Sequence, residues 1–181
     1  MQAVVYKSTG NWYTVKSAQS GFIQARLKGK FKIDDITSTN PIAVGDEVEI
    51  ELEHDIENTY IITQIHERRN YINRQSPHRK YQHHIVASNL DQNLLFATLK
   101  EPKTSQGFID RFLITSEAYH IPSIIVFNKA DVYRKKEMDT FEEWKQMYEE
   151  IGYKVFLISM ETMQGVDELK ALLQNKTTLL S

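Results

Sequence analysis

The hydrophobic rhythm of the chain changes once, and that change limits what it can fold into. Up to residue 65 the apolar residues come in short β-rich runs, at 3–6, 12–15, 22–27, 48–52 and 60–65. Turn-forming residues separate them at Gly10-Asn11, Gly21, Gly29, Asn40-Pro41, Gly45-Asp46 and Glu57-Asn58. Within 22–28 the pattern partly alternates, as a half-buried strand requires. About five short strands in so little chain suit a small closed barrel, with the oligonucleotide-binding (OB) barrel as the commonest candidate. From Ile85 onward strands alternate with helices. Residues 94–99 form a continuous apolar run, the mark of a parallel strand buried on both faces. A helix is predicted over 107–120, with Phe108, Ile109, Phe112 and Leu113 on its apolar side and Pro122 beyond its end. A second buried strand follows at 123–127, then a helix over 139–151 capped by Asp139 or Thr140 and ended by Gly152. A third strand at 154–158 and a helix at 166–174 complete an α/β unit with a parallel sheet and right-handed crossovers. Ligands of such sheets sit at the carboxyl ends of the strands.

Composition narrows the class. Of 181 residues 41% are hydrophobic and 25% charged, which excludes a disordered tail, a collagen-like repeat and a coiled-coil rod. No apolar run approaches the roughly 20 residues that span a bilayer, so no membrane partner is expected. The amino terminus lacks the basic start and long apolar core of a secretion signal. Zero cysteines exclude a disulfide framework and a thiolate metal site within these residues. A cytoplasmic location and a monomer are expected.

The net charge of −2 hides an asymmetry. Residues 1–64 carry 6 Lys+Arg against 9 Asp+Glu, and residues 85–181 carry 11 against 14. Between them, the segment 66–84 carries Arg68, Arg69, Arg74, Arg79 and Lys80 against Glu67 alone, with His66, His78, His83 and His84. This reads as a basic link between an OB-like barrel (1–65) and an α/β domain (85–181). It is either a polyanion contact or a solvated linker. Tyr71 and Tyr81 interleave with the basic residues, as stacking groups or as packing. Imidazoles in a basic stretch meet phosphate or solvent more often than metal, so no metal site is expected. Trp12, Tyr13 and Phe22 are assigned to core packing, with a stacking face as the alternative.

The chemistry sits at two strand ends. After the second buried strand comes Asn128-Lys129-Ala130-Asp131. Asn-Lys-x-Asp is the guanine-specificity element of Ras-type GTPases, and each residue has a physical task. The two oxygens of Asp131 match the N1–H and N2 amino donors of guanine. Adenine would set an N1 lone pair against that carboxylate and leave a desolvated charge unpaired. The Lys129 stem can cover one face of the base, and the Asn128 amide can tie neighbouring loops together. The plainer reading is a turn after a strand, which Asn and Asp both favour. After the third strand come Ser159-Met160-Glu161-Thr162 and Gly165-Val166-Asp167-Glu168-Leu169. GTPases place a Ser-Ala-type loop here, whose backbone N–H donates to guanine O6. Met160 stands in place of the alanine. No Gly-x-x-x-x-Gly-Lys-Ser/Thr occurs, so nothing in the chain cradles phosphates or places Mg²⁺. Either the domain is degenerate or its elements are permuted.

The combination of barrel, basic link, guanine element and Ser loop resembles the circularly permuted ribosome small-subunit-dependent GTPase A family (YjeQ or EngC type). The matching residues are Gly45-Asp46-Glu47-Val48, Arg68-Arg69-Asn70-Tyr71-Ile72-Asn73-Arg74, Ala87-Ser88-Asn89-Leu90-Asp91-Gln92 and Phe108-Ile109-Asp110-Arg111-Phe112-Leu113, together with the two strand-end motifs. In that family the residues after a segment like 176–181 begin the phosphate loop, followed by switch regions and a Cys/His zinc domain. The resemblance implies an amino-terminal portion of an incomplete, circularly permuted P-loop GTPase. It further implies a guanine site of Asn128, Lys129, Asp131, Ser159 and Met160 for GTP or GDP, no catalytic residue in this chain, and Mg²⁺ and Zn²⁺ only in a longer protein. The implied partner is the small ribosomal subunit, with its rRNA contacted by the barrel and by Arg68, Arg69, Arg74, Arg79 and Lys80. Asp110 and Arg111 are assigned to a helix-surface or interdomain contact. A non-catalytic RNA-binding module and a degenerate interaction domain are the alternatives.

Overall fold

The computed structural model describes residues 1–27, 41–53, 59–75 and 83–181. They form two compact units, Met1–Asn89 and Leu90–Ser181. The predicted turns at Gly29, Asn40 and Glu57-Asn58 lie outside the described residues.

The first unit is built on five strands at the five predicted places: β1 (Gln2–Thr9), β2 (Trp12–Ser17), β3 (Gly21–Leu27), β4 (Glu47–Leu52) and β5 (Thr59–Ile65). They close into a barrel in the order β1-β2-β3-β5-β4, with β4 returning to β1 and only β3–β5 parallel. Closure removes the open edges that a five-stranded sheet would expose. Alternate residues point inward, so Ala3, Val5, Tyr13, Val15, Ala25, Val48, Ile50 and Ile62 fill the interior. Each large aliphatic side chain sealed there contributes about 1.5–3 kcal/mol.

The barrel carries a hairpin of β6 (Tyr71–Gln75) and β7 (His83–Ser88), paired antiparallel. The predicted link over 66–84 thus belongs, in its described residues, to the first unit. Gly45 allows the attachment. Its φ is +93°, and a Cβ there would lie 2.1 Å from the Ser88 carbonyl oxygen. Close by, the Ser88 N–H donates to the Val44 carbonyl at 2.9 Å.

The second unit is a four-stranded parallel sheet, in sequence order β8 (Gln92–Ala97), β9 (Ser123–Phe127), β10 (Lys154–Leu157) and β11 (Thr178–Leu180). Its spatial order is β10-β9-β8-β11. The strands alternate with α1 (Gln106–Ala118), α2 (Lys135–Glu150) and α3 (Val166–Leu173). Leu95, Ala97, Ile125 and Phe127 pack on one face with Ile109 and Leu113 of α1 and Phe141, Trp144 and Tyr148 of α2. Leu94, Ile124, Val126 and Ile158 pack on the other with Leu169 of α3. Apolar side chains on both faces explain the uninterrupted hydrophobic runs. The chain steps outward from β8 to β10 and then returns to place β11 on the far side of β8. That reversal makes a topological switch point, with its crevice outside the strands' carboxyl ends.

Besides the β6–β7 pair, two elements differ from expectation. Helix α2 begins at Lys135, so Asp139 and Thr140 lie inside it and do not cap it. The start is stabilised by the Glu137 carboxylate, which accepts the Arg134 backbone N–H at 2.9 Å. That bond holds the Glu137 carboxyl below its ordinary range. Strand β11 was not predicted, because three residues carry no readable period; its partner β8 creates it.

Candidate functional site

Strands β9 and β10 run parallel in register, with Leu157 opposite Phe127, so the residues that follow them emerge side by side. This places all five predicted guanine-site residues, Asn128, Lys129, Asp131, Ser159 and Met160, in one hydrogen-bonded loop pair. The Ser159 hydroxyl, fully buried, donates to Asp131 Oδ1 at 2.5 Å and accepts the Thr162 N–H at 3.1 Å. Asp131 itself is exposed, so its carboxylate is oriented from below and open above. The hydroxyl uses one lone pair of Oδ1, and the carboxylate keeps acceptor capacity for two further donors.

Asn128 Oδ1 accepts the N–H of Lys129 at 2.7 Å and the N–H of Met160 at 3.3 Å. The Asn128 amide thereby joins the two loops, the tying role expected of it. The long bond to Met160 leaves its N–H at the surface of the site, and the Met160 side chain is exposed. Ala130 N–H donates to the Ile158 carbonyl at 3.0 Å, a further stitch between the loops. Lys129 has φ +69°, a left-handed conformation uncommon for a residue other than glycine. Its ammonium donates to the carbonyl of Glu101 in the loop after β8.

One residue of this site carried no sequence signal. The Tyr133 hydroxyl donates to the Asn128 carbonyl at 2.6 Å and accepts the Leu99 N–H at 2.8 Å. It bridges the loop after β9 to the loop after β8, and burial first of all raises its phenol above the ordinary range. Gly165 shapes the neighbouring loop, since with φ +69° its Cβ would sit 2.7 Å from the Leu157 carbonyl.

The basic candidates separate. Arg68 is mostly buried, with Nε 2.6 Å from Asp46 Oδ1 and one terminal nitrogen 2.6 Å from Oδ2. Asp46 is fully buried and also accepts from the Ser88 hydroxyl at 2.6 Å and the Ala43 N–H at 2.9 Å. Arg68 therefore anchors the hairpin to the barrel, and its charge is committed to Asp46 rather than offered outward. Arg69 is exposed, though its N–H and one guanidinium nitrogen donate to Asn89 at 2.9 and 3.0 Å. Arg74 is exposed on β6, opposite His84. Arg79 and Lys80 lie outside the described residues, as do His78 and Tyr81. His66 sits 3.2 Å from Glu49.

The aromatic assignment needs correction. Tyr13 is buried as expected, but Trp12 and Phe22 are exposed, because they occupy outward positions on their strands. Asp110 accepts the Tyr148 hydroxyl of α2 at 2.8 Å, a packing contact within the second unit.

The RsgA N-terminal domain family matches residues 2–61 and the RsgA GTPase family matches residues 65–181. The protein named small ribosomal subunit biogenesis GTPase RsgA in Flavobacterium psychrophilum is 48% identical over 182 residues, covering 100% of this chain and 56% of that protein. Its namesake in Cytophaga hutchinsonii is also 48% identical, with 59% of that protein covered. Among solved structures, YjeQ from Thermotoga maritima superposes with a TM-score of 0.81 at 28% identity, over 99% of this chain and 59% of that one. YloQ, described as a circularly permuted GTPase, gives 0.74 at 29% identity, over 99% of this chain and 58% of YloQ. The chain thus spans between 56% and 59% of the length of these relatives. The two families together match residues 2–61 and 65–181, barrel and parallel-sheet unit alike: the chain belongs to the RsgA GTPase family.

Proposed function

We propose that this chain is the barrel and guanine-reading portion of a cytoplasmic GTPase that assists late maturation of the small ribosomal subunit. The observation that carries the reading is the Asp131 carboxylate, oriented by the buried Ser159 hydroxyl between two loops that the Asn128 amide joins. A fixed carboxylate on an exposed residue complements the two adjacent donors of guanine and rejects adenine. The N–H of Met160 donates to guanine O6, moving from Asn128 Oδ1, and Lys129 leaves the Glu101 carbonyl to cover the base. Phosphoryl transfer relies on phosphate cradling and on charge neutralisation by Mg²⁺. The 181 residues contain no Gly-x-x-x-x-Gly-Lys-Ser/Thr, so this chain alone binds guanine nucleotide weakly and does not hydrolyse it. Mg²⁺ and zinc belong to the longer family protein. The barrel and the exposed Arg69 and Arg74 contact rRNA, with Arg79 and Lys80 as sequence candidates; the chain acts as a monomer.

The test is Asp131→Asn, read by thermal stabilisation of the chain in millimolar GDP, XDP and ADP. The expected result is preference for GDP in the parent chain and for XDP in the variant, because the xanthine C2 oxygen requires a donor. Failure of the parent chain to distinguish GDP from ADP, or an unchanged GDP:XDP preference in the variant, overturns the guanine assignment.

A further inference from the structure

The barrel is electrically divided. Its first three strands contain Lys7, Lys16 and Arg26 and no acidic residue, whereas β4 alone carries Glu47, Glu49 and Glu51. In sequence the division is complete: residues 1–33 hold all 6 Lys+Arg of the first 64, and residues 34–64 hold all 9 Asp+Glu. Because β1, β2 and β3 are neighbours in the barrel wall, the cationic residues share one side of it.

The same side carries an aromatic cluster. Tyr6 is 52% exposed and Phe22 is 61% exposed, values that core packing does not explain. Their rings meet edge to face at a centroid distance of 5.1 Å, across the intervening strand β2. Lys16 stands between them on β2, paired in register with Val4 and Phe22. Its ammonium lies 5.7 Å from the Tyr6 centroid and 5.4 Å from that of Phe22. The register of β1 shifts between Val5 and Lys7, so Tyr6 occupies a bulge. Bulges commonly re-aim a side chain beside a functional surface.

We propose that the outer face of β1–β3, centred on Tyr6, Lys16 and Phe22, is a stacking platform for unpaired nucleobases of RNA. An exposed ring gives a π-face to any base, and an ammonium beside it meets the phosphate one sugar away. Charge selects this face: phosphate is attracted to β1–β3 and repelled by Glu47 and Glu51 of β4, while Glu49 is paired with the Met1 ammonium at 3.2 Å. Arg26 is set apart from the platform, since its guanidinium pairs with Glu53 at 2.7 Å. The inference rests on the proposed contact with rRNA and assigns that contact to a specific face and nucleotide state.

The test uses the 181-residue chain with a fluorescein-labelled 12-nucleotide single-stranded RNA, and the same sequence as a duplex, over a series of salt concentrations. Expected are tighter binding of the single strand than of the duplex, and a loss of roughly tenfold in single-strand affinity for Phe22→Ala. Phe22→Trp retains the affinity, and Lys16→Gln lowers the salt slope by about one. Both side chains are exposed, so the variants melt with the parent chain. If Phe22→Ala and Lys16→Gln bind RNA as the parent does while Arg74→Glu weakens it, the platform is overturned and the rRNA reading stands. Unchanged RNA binding by Phe22→Ala together with weakened binding to intact small subunits assigns the face to a ribosomal protein and also overturns the platform. Absence of RNA binding by the parent chain at low salt overturns both.

Discussion

Arg68→Ala is the substitution whose consequence the structure specifies most closely. The change removes a guanidinium that pairs bidentately with Asp46 at 2.6 Å on each oxygen, at a site where the carboxylate is fully buried. Deleting one partner of a buried pair costs about 3–5 kcal/mol, because the remaining charge stays desolvated and uncompensated. Asp46 keeps two donors, the Ser88 hydroxyl and the Ala43 N–H, so the lower end of that range, about 3 kcal/mol, is expected here. The assay is urea unfolding followed by tryptophan fluorescence. The two tryptophans fall one in each unit, Trp12 on β2 and Trp144 on α2, and a Trp144→Phe background leaves the barrel signal alone. With an m-value of about 1.5 kcal/mol/M, the midpoint falls by about 2 M. The double variant Asp46→Asn with Arg68→Gln removes both charges, so its cost is smaller than the sum of the single changes by at least about 1 kcal/mol. A loss below about 1 kcal/mol, accompanied by weaker RNA binding and a shallower salt slope, refutes the reasoning and returns Arg68 to the RNA contact.

Two other perturbations follow from the same geometry. Gly45→Ala places a methyl group 2.1 Å from the Ser88 carbonyl oxygen at φ +93°, and a loss of about 2–4 kcal/mol in barrel stability is expected from overlap and backbone strain combined; a melting temperature within a degree of the parent refutes the close approach. In the second unit, burial first and the Asp110 carboxylate next raise the Tyr148 phenol well above its ordinary value of 10.0. The neutral form is the one folding favours, so this contribution is complete below about pH 10 and shrinks as pH rises towards the folded-state value. Alkaline titration at 295 nm is expected to show a tyrosine component that ionises only on unfolding, and Tyr148→Phe is expected to reduce that component by one tyrosine.

The β4 turn shows how far local pattern reaches. Gly45-Asp46 reads as a turn feeding a strand, and the structure places it so. Sequence alone could not tell that the aspartate faces inward to an arginine 22 residues later. The loops after β9 and β10 divide in the same way. Asn128, Asp131 and Ser159 are recognisable by their order behind buried strands, while Tyr133 is not, because its partner Leu99 is 34 residues away and no spacing rule connects them. The basic stretch misleads for a related reason. Charge density marks Arg68 and Arg74 equally, and only the position of Asp46 separates an anchor from an exposed cation.

What the sequence determined by itself is therefore whatever repeats locally or is chemically particular. The five barrel strands, and β8, β9 and β10 with the three helices of the second unit, follow from periodicity. The Asn-Lys-x-Asp element at 128–131 is recognisable from its residue types and spacing. The tertiary structure decided which of several equivalent residues face each other: Ser159 under Asp131, Arg68 on Asp46, β11 beside β8, Tyr6 and Phe22 outside the barrel rather than in it. Side-chain period records that a residue alternates between inside and outside, whereas strand pairing across tens of residues decides which side is which and what waits there.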